Sequence, residues 1–134
     1  MSPYSWTARV YWEDTDGGGV VYHANYLRFF ERARTEWLRE RGHVQSEMAA
    51  TLGVVFALTE VHVRYHRPAR LDDLLVISCS PERDGGATMT FSQDMRRGST
   101  AGELLAAATV RVACVSADTF RPRRLPAAIV KELS

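Results

Sequence analysis

Asn25-Tyr-Leu-Arg-Phe-Phe-Glu-Arg-Ala-Arg-Thr-Glu-Trp-Leu-Arg-Glu-Arg41 is the stretch on which the reading of the chain turns. Tyr26, Phe30, Ala33 and Trp37 recur at intervals of four and three, and Leu27 and Leu38 widen the stripe. That is the period of an α-helix with one buried face. Gly42 supplies its C-terminal stop. The opposite face carries Arg28, Glu31, Arg32, Arg34, Glu36, Arg39 and Glu40, with opposite charges at Arg28 and Glu31 and at Arg32 and Glu36. A face of that kind is expected to be solvated or to meet another subunit.

On either side of this helix the period changes to two. Thr7 to Trp12 reads as a strand that ends in the glycine-rich turn Glu13-Asp-Thr-Asp-Gly-Gly-Gly19. Beyond the ambiguous stretch Val44 to Thr51, Val61, Val63 and Tyr65 alternate with Glu60, His62, Arg64 and His66, the pattern of a strand covered on one face. Arg67-Pro-Ala-Arg-Leu-Asp-Asp73 breaks that strand, and Leu74 to Ser80 starts the next. Asp84-Gly-Gly86 turns into Thr88 to Arg96, where Met89, Phe91 and Met95 alternate with polar residues, and Arg97-Gly-Ser99 turns into Leu104 to Val115. The tail from Pro122 to Ser134 offers a short terminal helix over Ala127 to Leu133. Hairpin-sized turns with no intervening crossover helices imply an antiparallel α+β sheet packed on one helix.

The chain has 134 residues, 46% of them hydrophobic, which suits one domain spanning residues 1–134. With 17 Lys plus Arg against 16 Asp plus Glu, the net charge of +1 provides no field for collecting nucleic acid or an anionic membrane. No window approaches the ~20 apolar residues of a membrane span and the N-terminus has no signal-peptide core, so a soluble, cytoplasmic protein is expected. Cys79 and Cys114 fall inside apolar runs rather than at metal-ligand spacing, as small reduced core residues do.

Chemistry concentrates in the loop before the helix, where Glu13 to Asn25 holds three acids, three glycines and a histidine. Glycines permit close backbone approach, and a helix start presents unpaired N–H groups at the positive end of a dipole. A carboxylate beside such donors can attack a carbonyl or activate water. The ordinary use of Asp14 and Asp16 is as turn formers and helix-start acids, and composition alone favours it. A calcium loop fits Asp14, Asp16 and Gly19 but fails at its twelfth position, where Asn25 replaces the bidentate Glu. No Gly-Lys-Ser or Gly-Lys-Thr follows the glycines, and no Gly-x-Ser-x-Gly elbow exists. His23 has no second ligand at zinc spacing, so no metal or other cofactor is expected.

Val10-Tyr-Trp-Glu-Asp-Thr-Asp-Gly-Gly-Gly-Val-Val-Tyr-His-Ala-Asn-Tyr26, followed by Phe30-Glu-Arg-Ala-Arg-Thr-Glu-Trp-Leu38, resembles the 4-hydroxybenzoyl-CoA thioesterase superfamily. Within it the chain is most similar to the YbgC-type, tol-pal-associated acyl-CoA thioesterases. The resemblance continues through Tyr65-His-Arg-Pro-Ala-Arg-Leu-Asp-Asp73 and Pro122-Arg-Arg-Leu-Pro126, nearly the whole chain. It implies a hotdog fold, an antiparallel β-sheet wrapped around one long α-helix, assembled as a homodimer or homotetramer.

It also implies hydrolysis of an acyl-CoA, with Asp16 as nucleophile or general base. His23 matches the histidine of the motif. Its backbone N–H takes the place from which the family polarises the thioester carbonyl, and its side chain is auxiliary. Val21 and Tyr22 of the same loop are expected to contact substrate, and Asp14 to be structural. Gly17 stands where the motif commonly has Ala and is expected to loosen the loop. Arg64, His66, Arg67 and Arg70 are candidates for the CoA phosphates, against an ordinary role as a solvated strand edge. The binding-class alternative is a hotdog that holds acyl-CoA or an acyl carrier protein and acts mainly within a Tol-Pal-linked envelope complex.

Overall fold

The computed structural model describes residues 4–133. Met1 to Pro3 and Ser134, which enter the expectations for the N-terminus and the tail, lie outside the described residues. Strand β1 is Ser5–Arg9, followed by a 3-10 turn at Trp12–Asp14 and the helix α1, Asn25–Glu40. Next come α2, Gln45–Thr51, and the strands β2, Val54–Tyr65, β3, Leu74–Ser78, β4, Ser80–Arg83, β5, Thr88–Arg97, and β6, Leu104–Ser116. The short helix α3, Ala127–Val130, ends the series. All strand pairings are antiparallel, in the order β1-β3-β5-β6-β2 with β4 also on β5. An antiparallel sheet on one long helix is the hotdog arrangement expected from the sequence.

The helix forms where its apolar period predicts. Tyr26, Phe30, Ala33, Trp37 and Leu38 are buried, and Trp37 meets Phe91 of β5 edge-on at 6.0 Å. Burial of each such large side chain contributes about 1.5–3 kcal/mol. Leu27 departs from the expectation: it is 40% exposed, and Phe29, at 1%, completes the stripe instead. Leu27 lies about 100° around the helix from Tyr26, where it lines an open cleft with Leu58 and Val61 of β2. At the other end, Gly42 takes φ 86° and His43 donates to the Leu38 carbonyl at 2.9 Å, closing the helix.

The charged face also differs in detail. Neither Arg28 with Glu31 nor Arg32 with Glu36 forms an ion pair among the described residues, and Glu36 pairs with Arg39 at 3.2 Å. Arg34 turns inward, where its Nη1 donates to Oε1 of Gln93 at 3.1 Å. Gln93 occupies the inward phase of β5 with Met89, Phe91 and Met95 and is only 2% exposed. Its Nε2 donates to the Phe30 carbonyl at 3.0 Å, so a polar side chain ties the sheet to the helix.

Other boundaries move for identifiable reasons. β1 stops at Arg9, short of the expected Trp12, because the Asp14 carboxylate accepts the Tyr11 N–H at 2.9 Å and draws the chain into the 3-10 turn. The expected strand from Leu74 to Ser80 is interrupted at Cys79, which divides β3 from β4. β2 begins earlier than its alternation suggests, since Val54 to Leu58 pair with β6 ahead of a bulge at Thr59. As the terminal strand of the sheet, β2 leaves Val61 and Val63 half-buried and Tyr65 49% exposed, not covered. Cys79 and Cys114 are buried thiols; burial pushes Cys79 up to about 12, against the opposing influence of Arg34 and Arg41. No helix among the described residues is long and apolar enough to cross a membrane.

Candidate active site

The loop between β1 and α1 is held by backbone bonds to a distant segment. Val21 donates to the Ala69 carbonyl at 2.8 Å, Leu71 donates to that of Gly19 at 2.9 Å, and Val20 bridges to Arg70. Within the loop, Asp16 donates its N–H to the Val20 carbonyl at 3.0 Å, and Thr15 bridges to Val21. Residues Asp16 to Val20 therefore form a tight excursion whose reversal uses Gly17 at φ 92° and Gly19 at φ 82°. Those are conformations that a Cβ disfavours, so glycine suits position 17. A Cβ on Gly18 would come within 3.2 Å of Asp16 Oδ1, so glycine also leaves room for the carboxylate.

The two aspartates have different fates. Asp14 is 8% exposed; its Oδ2 accepts the Tyr11 N–H at 2.9 Å and its Oδ1 accepts Nδ2 of the buried Asn25 at 2.8 Å. It welds the loop to the first residue of α1. Asp16 is exposed, and its one side-chain bond is accepted by Oδ1 from the Gly18 N–H at 2.9 Å. Its Oδ2 has no protein donor among the described residues.

Asp16 faces an open cleft of ≈ 470 Å³, lined also by Tyr22, Ala24, Asn25 and Arg28. The start of α1 forms its far wall. Ala24, at the N-cap, has helical φ −73° and ψ −22° and offers no side-chain cap. The N–H groups of His23 and Ala24 find no acceptor among the described residues. These two donors lie at the positive end of a sixteen-residue helix, and Ala24 borders the cleft.

The remaining candidates divide. Tyr22 is 48% exposed and its ring lies 4.5 Å from the imidazole of His23, which is also exposed. The Val21 side chain is 4% exposed within the core, and its N–H is spent on Ala69. Arg64, His66, Arg67 and Arg70 are all exposed. Arg67 approaches Glu103 at 3.8 Å, whereas the side chains of Arg64, His66 and Arg70 have no hydrogen-bond or ion-pair partner among the described residues. The Arg70 backbone is fixed beside the Asp16 loop, with its N–H donated to Asp73 at 2.8 Å, and Asp73 in turn pairs with Arg97.

Sequence reasoning missed Tyr65 as more than a strand residue: its hydroxyl donates to the His23 carbonyl at 2.7 Å. No local pattern signals that bond, which spans 42 positions. No group of three His, Cys, Asp or Glu side chains lies together as metal ligands would among the described residues.

The antiparallel sheet on one long helix is a hotdog fold, and the comparisons name the family that shares it. Residues 18–103 match the family model of the thioesterase superfamily, and the chain belongs to that family. The acyl-CoA thioester hydrolase YbgC of Escherichia coli is 44% identical over 129 residues, 96% of this chain and 94% of the relative. The acyl-CoA thioesterase YbgC of Haemophilus influenzae is 42% identical over 123 residues, 92% of this chain and 88% of its own. The crystal structure of a probable thioesterase from Bartonella henselae superposes with a TM-score of 0.86 at 38% identity, covering 93% of this chain and 100% of that one.

Proposed function

We propose that the chain hydrolyses acyl-CoA thioesters to the free acid and CoA, with Asp16 as the reacting carboxylate and the N–H groups at the start of α1 as oxyanion donors. The observation that carries this reading is the contrast within one loop. Asp14 is bonded through both oxygens, whereas Asp16 keeps Oδ2 free in the cleft that Ala24 also lines. Relatives named as acyl-CoA thioesterases at 42–44% identity support the reaction class.

As general base, Asp16 takes a proton from water while the hydroxide adds to the thioester carbonyl. The oxyanion forms against the helix start, and collapse expels the CoA thiolate, which recovers the proton. As nucleophile, the Asp16 carboxylate adds to the same carbon and displaces the thiolate, leaving a mixed anhydride that water then hydrolyses. Both routes use the same carboxylate and donors. Among the basic residues, Arg70 suits the CoA phosphates best, because its backbone is clamped next to the Asp16 loop and its side chain is free.

The reading includes a homodimer. β2, twelve residues long, is an outer strand of the sheet, with Leu58 56% exposed along it, and a second copy would cover that edge.

The decisive experiment is a hydrolysis panel of acyl-CoAs with wild type and Asp16→Asn. The variant should stay folded and lose about 100-fold to 10,000-fold in kcat if the carboxylate is a general base, and more if it is the nucleophile. A folded Asp16→Asn protein at near wild-type rate would falsify the assignment. Tight acyl-CoA binding with negligible turnover in wild type would favour the binding-module alternative.

A further inference from the structure

Tyr65 closes β2 at the point where the sheet edge comes up against the start of α1. Its hydroxyl donates to the His23 carbonyl at 2.7 Å, and its ring stands edge-on to Tyr26, 5.0 Å between centroids and 89° between planes. Tyr26 is itself fixed, 3% exposed, with its hydroxyl accepting the Ala69 N–H at 2.9 Å. The phenol of Tyr65 is therefore a braced donor. Burial, reinforced by Tyr26, raises its pKa above the ordinary tyrosine value.

The consequence follows from peptide geometry. In a planar trans peptide, C=O and N–H point in opposite directions, so a group that fixes one fixes the other. The His23 carbonyl and the Ala24 N–H belong to the same peptide. Holding that carbonyl aims the Ala24 N–H, which has no acceptor among the described residues and belongs to a residue lining the Asp16 cleft. The preceding peptide, which carries the His23 N–H, is held by a different bond: the Tyr22 carbonyl accepts from Asn25 N–H at 2.8 Å. Two adjacent donors thus have two separate anchors, one local to the turn and one reaching in from β2.

We propose that Tyr65 is a positioning residue for thioester hydrolysis, its hydroxyl locking the His23–Ala24 peptide so that the Ala24 N–H serves as a second oxyanion donor beside that of His23. The inference rests on the reading of the cleft given above and extends it to a residue outside the loop. A donor fixed before the reaction needs no reorganisation as charge develops, and a hydrogen bond to its carbonyl strengthens the N–H by polarising the peptide. The benefit appears in the transition state more than in ground-state binding.

Tyr65→Phe keeps the ring against Tyr26 and removes only the hydroxyl. The assay uses butyryl-CoA or benzoyl-CoA, whichever wild type hydrolyses faster. Loss of a whole oxyanion donor costs about 100-fold to 1,000-fold; misaiming one should lower kcat by roughly 10-fold to 100-fold, with KM within about twofold of wild type. Unchanged kcat, a rise in KM alone, or a loss that vanishes once corrected for folded fraction overturns the proposal.

A spectroscopic readout separates it from the reading beneath it. The carbonyl stretch of the same acyl-CoA, bound to Asp16→Asn, should shift down relative to the free thioester. In Asp16→Asn with Tyr65→Phe the downshift should shrink. Equal downshifts in the two proteins would remove Tyr65 from the mechanism and leave the oxyanion donors in place. No downshift in Asp16→Asn alone would remove the donors themselves, and the role of Tyr65 with them.

Discussion

Asp14→Asn should injure stability where Asp16→Asn injures catalysis, although the two residues are only two positions apart. Asp14 uses both carboxylate oxygens, one for the Tyr11 N–H at 2.9 Å and one for Asn25 Nδ2 at 2.8 Å, at 8% exposure. Asparagine has a single acceptor oxygen. Whichever way its amide turns, one of those two donors faces an NH2 group. A lost bond to a charged acceptor is worth about 1.5–3 kcal/mol, and a buried donor left unsatisfied costs about 1–3 kcal/mol. Relief of the buried charge offsets part of this, so a net loss of roughly 2–3 kcal/mol is expected.

For a chain of this length that corresponds to a fall in Tm of about 6–15 °C. Asp16→Asn keeps an oxygen for the Gly18 N–H at an exposed site, so its stability should stay within about 0.5 kcal/mol of wild type. Urea denaturation followed by circular dichroism, with kcat measured on the same preparations, gives both coordinates. The expected result is a crossing: Asp14→Asn less stable but within about tenfold of wild-type kcat per folded molecule, and Asp16→Asn stable but inactive. The assignment of roles fails if Asp14→Asn keeps wild-type stability and loses activity as completely as Asp16→Asn.

The same bookkeeping applies to the polar link between sheet and helix. Gln93→Leu removes the partner of Arg34 and the donor to the Phe30 carbonyl, and should cost about 2–3 kcal/mol in urea denaturation. A double-mutant cycle with Arg34→Leu should give a coupling above about 0.5 kcal/mol, and additivity would show that the bond contributes nothing to stability. Sedimentation at assay concentration should give a dimer or tetramer, and monomer alone would contradict a second copy on the β2 edge.

The sequence by itself determined whatever is periodic along the chain. Tyr26, Phe30, Ala33 and Trp37 announce a helix, and Met89, Phe91 and Met95 a strand, because burial of one face imposes a period that neighbouring residues must share. The loop that bears Asp16 is equally legible, since three consecutive glycines after an acid break any regular pattern. Its chemical meaning came from resemblance to a family, not from spacing. Tertiary structure alone decided which member of each class does what. Asp14 and Asp16 are the same residue type two positions apart, and only the placement of Tyr11 N–H and Asn25 makes one an anchor through both oxygens and leaves the other with a single bond, from Gly18 N–H, among the described residues. Gln93 looks like an ordinary polar residue until the register of β5 turns it inward against Phe30, 63 positions away. Tyr65 reads as a β-strand residue, and its bond to His23 exists only because the sheet edge returns to the start of α1. Apolar burial is written locally because it needs only a face; a hydrogen bond needs one particular partner, and the folded chain chooses that partner.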